Sequence, residues 1–201
     1  MVHLDNVRYI VQNGICCKEH PLADPGYIDI GHRELIQDRH NYLVPISGRG
    51  QLGQYIPFYF AGHSPMLYMI KNGYQGVQRR PQEDIVFIVS SVNRIKELGL
   101  PFLFSDRNAK ISVAKFFEDE GDFDKLRWDV ILSQDWKNTE SDIARRDFKQ
   151  AEFLVREYVP VSAIECLVVK TEAKKRILEE MIATIEASMP VFVDERNKLY
   201  Y

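Results

Sequence analysis

The run Ile85-Val86-Phe87-Ile88-Val89 is apolar at five consecutive positions, four of them β-branched, and is closed by Asp84 on one side and Ser90-Ser91 on the other. It is too short for a helix that packs on every side and has no polar alternation. It therefore reads as a strand buried on both faces. A chain built on such a strand must cover both sides of its sheet with other elements. The next residues supply a cover: Ser91 caps a helix through Leu98, Gly99 stops it, and Pro101-Phe102-Leu103-Phe104 returns as another strand.

The remaining chain follows the same logic. Val2-His3 opens as a short strand, and Asp5-Asn6 caps a helix with Val7, Ile10 and Val11 on one side, ended by Asn13-Gly14. Residues 20 to 53 are rich in Pro, Gly, Asp and His, with only Glu34 to Gln37 looking helical, and form a long ligand-shaping loop. Gln54 to Phe60 is an aromatic strand; Ser64-Pro65 then starts an apolar helix that stops at Asn72-Gly73. A helix is expected around Ile111 to Phe117, and a strand or helix from Leu126 to Leu132. Ser133 to Lys149 reads as a mobile, substrate-facing loop that leads into a strand at Glu152-Phe153-Leu154-Val155. A strand at Ile164 to Val169, a helix from Glu172 to about Ser188 and an edge strand at Pro190 to Val193 complete the series.

With 201 residues and 45% hydrophobic composition the chain is expected to form one well-buried domain. Its formal net charge of -3 announces no polyanion partner, so any nucleic-acid contact has to come from a local basic patch. Cys16, Cys17 and Cys166 have no metal-ligand spacing and are odd in number, which suits a reducing cytoplasm. No signal-peptide pattern and no membrane-spanning apolar run is present, so a soluble, intracellular protein is expected.

Gln150 and Glu152 carry the most chemical interest. If Glu152 opens a strand, Gln150 two positions earlier leaves the same face of the sheet. Such a pair suits cleavage of a glycosidic bond through an oxocarbenium-like transition state, the carboxylate stabilising positive charge and the residue before it contacting the acceptor. The plainer alternative is an exposed carboxylate at a strand edge. Arg145, Arg146 and Lys149 are candidate phosphate contacts beside it, and Ser105-Asp106-Arg107-Asn108 is a polar strand end that forms a second wall. Within the long loop, Arg39-His40-Asn41 offers an arginine able to clamp a pyrophosphate. His3 sits at a strand end, where ligand contacts concentrate. The aromatic residues of 55 to 68 read first as core, with stacking on a nicotinamide or a base as the alternative.

Taken together, Val2-His3-Leu4-Asp5-Asn6, Pro57-Phe58-Tyr59-Phe60 with Ser64-Pro65-Met66-Leu67-Tyr68, Phe102-Leu103-Phe104-Ser105-Asp106 and Gln150-Ala151-Glu152-Phe153-Leu154-Val155 resemble the DarT family. These are the toxins of DarT–DarG toxin–antitoxin systems, which ADP-ribosylate bases of single-stranded DNA using NAD. The resemblance covers nearly the whole chain. It implies an α+β ADP-ribosyltransferase fold of the poly(ADP-ribose) polymerase branch, with a split central sheet and flanking helices in one domain. By position, Glu152 is similar to the catalytic glutamate and Arg39 to the arginine of the NAD-binding element, with His40 the alternative register. Val2, His3, Tyr9 and Cys17 fall at NAD-contacting positions. Residues of about 20–53 then form the NAD-binding loop element and about 108–152 the acceptor-recognising loop, where Arg107, Asn108, Arg145, Arg146, Lys149 and Gln150 are the DNA-facing candidates.

The resemblance further implies NAD as substrate and no metal. Its implied partners are single-stranded DNA and a cognate antitoxin, a macrodomain or other ADP-ribosylglycohydrolase. It also implies a monomer in the bacterial cytoplasm whose product blocks replication. Ser105-Asp106-Arg107-Asn108 departs from the turn of thymine-modifying members and shifts the expected base to guanine. A protein acceptor and a catalytically inactive NAD- or DNA-binding module are the alternatives.

Overall fold

The computed structural model describes the backbone of residues 1–201 and every side chain except those at positions 33 and 35. In chain order the elements are β1 (Val2–His3), α1 (Val7–Asn13), β2 (Ile15–Cys16), α2 (Arg33–His40), β3 (Tyr55–Tyr59), α3 (Pro65–Asn72), β4 (Ile85–Val89) and α4 (Val92–Glu97). They continue with β5 (Phe102–Ser105), β6 (Phe116–Phe117), α5 (Trp128–Ile131), α6 (Arg145–Phe148), β7 (Glu152–Arg156), β8 (Tyr158–Val159), β9 (Cys166–Val169), α7 (Glu172–Thr184) and β10 (Val191–Val193).

Two four-stranded sheets, ordered β1-β4-β9-β10 and β3-β7-β5-β6, make the expected split sheet, with β2-β8 as a small separate ribbon. Ile85 and Val86 of β4 are fully buried, as the apolar run requires. Val86 and Ile88 pack with α1 and α7 through Val7, Ile10, Leu178 and Ile182, whereas Ile85 packs with Leu67 and Ile70 of α3 and with Tyr200 near the C-terminus. The Tyr200 hydroxyl donates to the carbonyls of Ile85 (2.6 Å) and Val168 (3.0 Å), joining the tail to neighbouring strands.

In the second sheet β7 lies between β3 and β5, antiparallel to both. The period of two is plain: Phe153 and Val155 join Ile56, Ile95 and Phe104 on one side, while Leu154 joins Leu52, Tyr55 and Leu103 on the other. Pro57, which has no amide to give, sits in the edge strand β3 and is exposed.

Four local expectations change. Strand β7 begins at Glu152, and Gln150 lies in the turn that closes α6, its amide donating to Asp147 O (3.1 Å). Residues 133 to 149 therefore include a helical turn. The segment from Ile111 to Phe117 is not a helix but turns ending in β6, because Phe116 and Phe117 pair with Ser105 and Phe104 and the Phe117 ring stacks on Phe104 at 5.2 Å. Helix α2 spans twice the expected residues, and the last helix stops at Thr184, just before Glu186 takes a left-handed φ of 52°. The segment around Trp128 resolves to helix.

Candidate active site

Glu152 is the first residue of β7, placed opposite Tyr59 of β3 and Ser105 of β5. Strand alternation puts it on the face of Leu154, and it is only 2% exposed. That burial removes the reading of Glu152 as an exposed edge carboxylate. A buried carboxylate needs partners, and three donor contacts meet it: Arg39 Nη1 to Oε1 at 3.0 Å, Arg39 Nη2 to Oε2 at 2.6 Å, and the Ala109 amide to Oε1 at 3.0 Å.

Arg39 reaches this position because α2 is pinned at its end. A Cβ on Gly53 would lie 2.4 Å from His40 Nδ1 and 2.6 Å from His40 O, so only glycine allows so close an approach. The Leu52 amide donates to Tyr42 O and Val44 to Gly50 O, folding residues 42 to 52 back on the helix end. Lys110 Nζ adds an ion pair to Asp38 at 2.6 Å, tying α2 to the segment that supplies the Ala109 amide.

Burial pulls the Arg39 guanidinium down, but the charge and hydrogen bonds of Glu152, with a further push from Tyr59, hold it above its ordinary value. Arg39 is thus a permanent cation. Burial and then the Glu152 charge raise the Tyr59 phenol, against a lowering pull from Arg39, so this hydroxyl stays protonated. Tyr59 was not evident as a site residue in the sequence. Its partnership with Glu152 depends on the register of two strands almost a hundred residues apart.

A cavity of about 780 Å³ opens beside this group, within the range of small-molecule sites. Arg39, Asn108, Gln150 and Glu152 line it, with Pro57 to Tyr59 of β3, the following Phe60, and Phe87 to Val89 of β4 as mainly apolar walls. Gln150 thus reaches the same space as Glu152, though from a turn. Asn108 Nδ2 lies 3.5 Å from Gln150 Oε1, so these two side chains form one polar edge.

Other anticipated residues lie elsewhere. Val2, His3, Tyr9 and Cys17 do not line this cavity. Val2 is core, His3 Nδ1 accepts from the Asp5 amide, and the Tyr9 hydroxyl donates to Leu22 O. Burial pushes the Cys17 thiol up to about 12. Arg107 is held by both oxygens of Asp106 at 3.1 Å and lies 4.1 Å over the Phe148 ring. Arg145 bonds Asp135 O and Ser133 Oγ. Lys149 is turned inward, its ammonium donating to Ile131 O (2.6 Å) and Ser133 O (2.7 Å). Of the three anticipated phosphate contacts, Arg145 lies 3.9 Å from Asp142, whereas Lys149 and Arg146, the latter beside Trp136, have no carboxylate partner among the described residues. His40 bonds Glu19 rather than Glu152, so the arginine register places Arg39 at the carboxylate. Among the described residues no group of three or more His, Cys, Asp or Glu could hold a metal, and no helix is long and apolar enough to cross a membrane.

A split sheet that buries one glutamate at the head of a central strand, against an arginine and beside a ligand-sized cavity, is the architecture of an ADP-ribosyltransferase. Comparison with solved structures agrees: Thermus sp. 2.9 DarT in complex with ADP-ribosylated ssDNA matches with a TM-score of 0.86 at 30% identity, covering 99% of this chain and 93% of that one. The same protein in complex with NAD+ matches at 0.79 and 31% identity, over 100% and 94%. A DNA ADP-ribosyl transferase of Escherichia coli O127:H6 (strain E2348/69 / EPEC) is 30% identical over all of this chain and 91% of its own length. The family model described as "ssDNA thymidine ADP-ribosyltransferase, DarT" matches residues 1–201. The chain belongs to the DarT family of NAD-dependent DNA ADP-ribosyltransferases.

Proposed function

We propose that this protein transfers ADP-ribose from NAD to a base of single-stranded DNA, with Glu152 as the catalytic carboxylate. The observation that carries this reading is the buried Glu152, held by Arg39 and the Ala109 amide in the lining of the cavity. NAD lies in the cavity with its nicotinamide ribose toward Glu152. The bond from ribose C1 to the pyridinium nitrogen breaks, nicotinamide leaves with the electron pair, and Glu152 stabilises the oxocarbenium-like centre. A base nitrogen attacks C1 and passes its proton to the Glu152 carboxylate. Arg39 remains cationic, so it positions Glu152 and is not the base. Single-stranded DNA suits the reaction because an unstacked base costs little to present.

The whole chain acts as one domain, residues of about 20–53 covering NAD and about 108–152 facing the acceptor. In the latter segment Asn108, Gln150 and Arg146 contact DNA, whereas Arg107, Arg145 and Lys149 hold its shape. Val2, His3, Tyr9 and Cys17 belong to the NAD side only through family position. The base has two supports: guanine from the Ser105-Asp106-Arg107-Asn108 departure, and thymine from the description of the matching family model. The protein works as a monomeric toxin of the bacterial cytoplasm, its adduct blocking replication until an ADP-ribosylglycohydrolase antitoxin removes it.

The test is mass spectrometry of single-stranded oligonucleotides, each carrying one guanine or one thymine, after incubation with NAD and either wild type or Glu152→Ala. An ADP-ribose adduct formed by wild type alone is expected, and it names the base. NAD consumption in cell extract with no adduct on any oligonucleotide would move the acceptor to a protein.

A further inference from the structure

Next to the main cavity is a smaller recess of about 260 Å³, lined by Tyr68, Met69, Tyr74, Gln75, Trp136 and Arg146. Met69 and Gln75 line both spaces, so the two are adjacent. Tyr68 meets Trp136 at 5.6 Å and 73°, and Tyr74 at 5.9 Å and 52°. No two of these rings stack face to face, so none of their faces is spent on a parallel partner.

Packing does not account for this cluster. Tyr74 is 52% exposed, in a turn whose backbone is left-handed at Gly73, Gln75 and Gly76, with Gln75 at φ 54°. Holding a glutamine there costs on the order of 1 kcal/mol, which is characteristic of backbone kept for a site. Trp136 is fixed by its indole N–H donating to the Tyr201 hydroxyl at 2.6 Å. The Arg146 guanidinium lies 6.0 Å from the Trp136 ring, and no carboxylate pairs with it among the described residues, in contrast to Arg107, Arg127 and Arg145 nearby. The guanidinium's one hydrogen bond is a weak one to Met69 Sδ at 3.9 Å, and aromatic faces beside a cation with no carboxylate partner are what a base and its phosphate require.

We infer that this recess receives a nucleobase flanking the target nucleotide, stacked on Tyr74 and Trp136, with Arg146 on the adjoining phosphate. The inference rests on the DNA-modifying reading. A strand base is preferred to the adenine of NAD because the main cavity alone has the volume of a complete small-ligand site. Trp136 and Arg146 also come from the segment that leads directly into Gln150 and Glu152, which line the main cavity.

The experiment uses oligonucleotides with one modifiable base and an abasic residue at each flanking position in turn, with wild type, Tyr74→Ala and Tyr74→Phe. For wild type, one flanking position is expected to lower kcat/KM about 10-fold when abasic, as loss of one stacked base should. Tyr74→Ala should show the same loss on the intact oligonucleotide and no further loss on the abasic one, Tyr74→Phe should behave as wild type, and KM for NAD should move less than about 2-fold. An abasic penalty of equal size in wild type and Tyr74→Ala, no sensitive position, or a raised KM for NAD would overturn the inference while leaving the transferase reading intact. Absence of any adduct with wild type would overturn both.

Discussion

Arg39, bonded to Glu152, and Lys149, three residues before Glu152 in the chain, are both largely withdrawn from water, and their charges are met in opposite ways. Arg39 faces a carboxylate that contacts both its terminal nitrogens. Lys149 is 4% exposed and faces only the carbonyls of Ile131 and Ser133. A full opposite charge makes Arg39 a cation at every accessible pH. Carbonyl dipoles do less, and burial, helped by Arg145, pulls the Lys149 ammonium down to about 8. The first arrangement fixes a charge in the lining of the cavity; the second fixes a loop, at the cost of sensitivity to pH.

The largest expected effect lies on the Arg39 side. Glu152→Gln keeps the shape of the side chain and removes its charge, and should lower single-turnover transfer by about 1,000-fold or more. A rate within tenfold of wild type would take the carboxylate out of the chemistry. Arg39→Ala leaves that carboxylate buried with one amide donor, and should destabilise the fold by about 3–5 kcal/mol in denaturant unfolding. Adding Glu152→Ala to Arg39→Ala should return much of that loss, and strictly additive losses would show the pair is not coupled.

On the Lys149 side the effects are smaller. Lys149→Ala removes the donor from two buried carbonyls and should cost about 1–3 kcal/mol, with transfer reduced less than in either Arg39 or Glu152 variants. The pH effect is the finest test. Between about 8 and the ordinary 10.5 the unfolded chain holds more protons on this residue than the native one, so its contribution to stability rises with pH through that window. The stability difference between wild type and Lys149→Met should therefore shift in favour of wild type from about pH 8 to about pH 10. A flat difference would mean the ammonium is better solvated than its carbonyl contacts suggest.

The sequence showed the chain's framework wherever one signal acted locally. The Ile85 to Val89 run, the Ser64-Pro65 and Ser91 helix starts, and the Gly73 and Gly99 stops all sit where residue chemistry alone puts them. It was less legible where distant pairing decides: Phe116-Phe117 has helix-compatible neighbours, yet Phe104 captures it into a sheet. Glu152 and Arg39 stood out by pattern and position. Their contact did not, nor did Tyr59 or the Ala109 amide, since a backbone donor leaves no trace in residue identity. The inward turn of Lys149 was equally silent, because three nearby basic residues look alike until burial separates them.

Arg39 and Glu152 stand 113 positions apart, and the strand that brings Glu152 is inserted between two neighbours that precede it in the chain. During synthesis β3 and β5 leave the ribosome before β7, and a gap must wait in the middle of their sheet. Until that gap is filled, the arginine has no carboxylate and the cavity lacks Glu152 and Phe153 from its lining. A nascent chain is therefore without an assembled site through most of its synthesis, and the site is completed only when β7 seats.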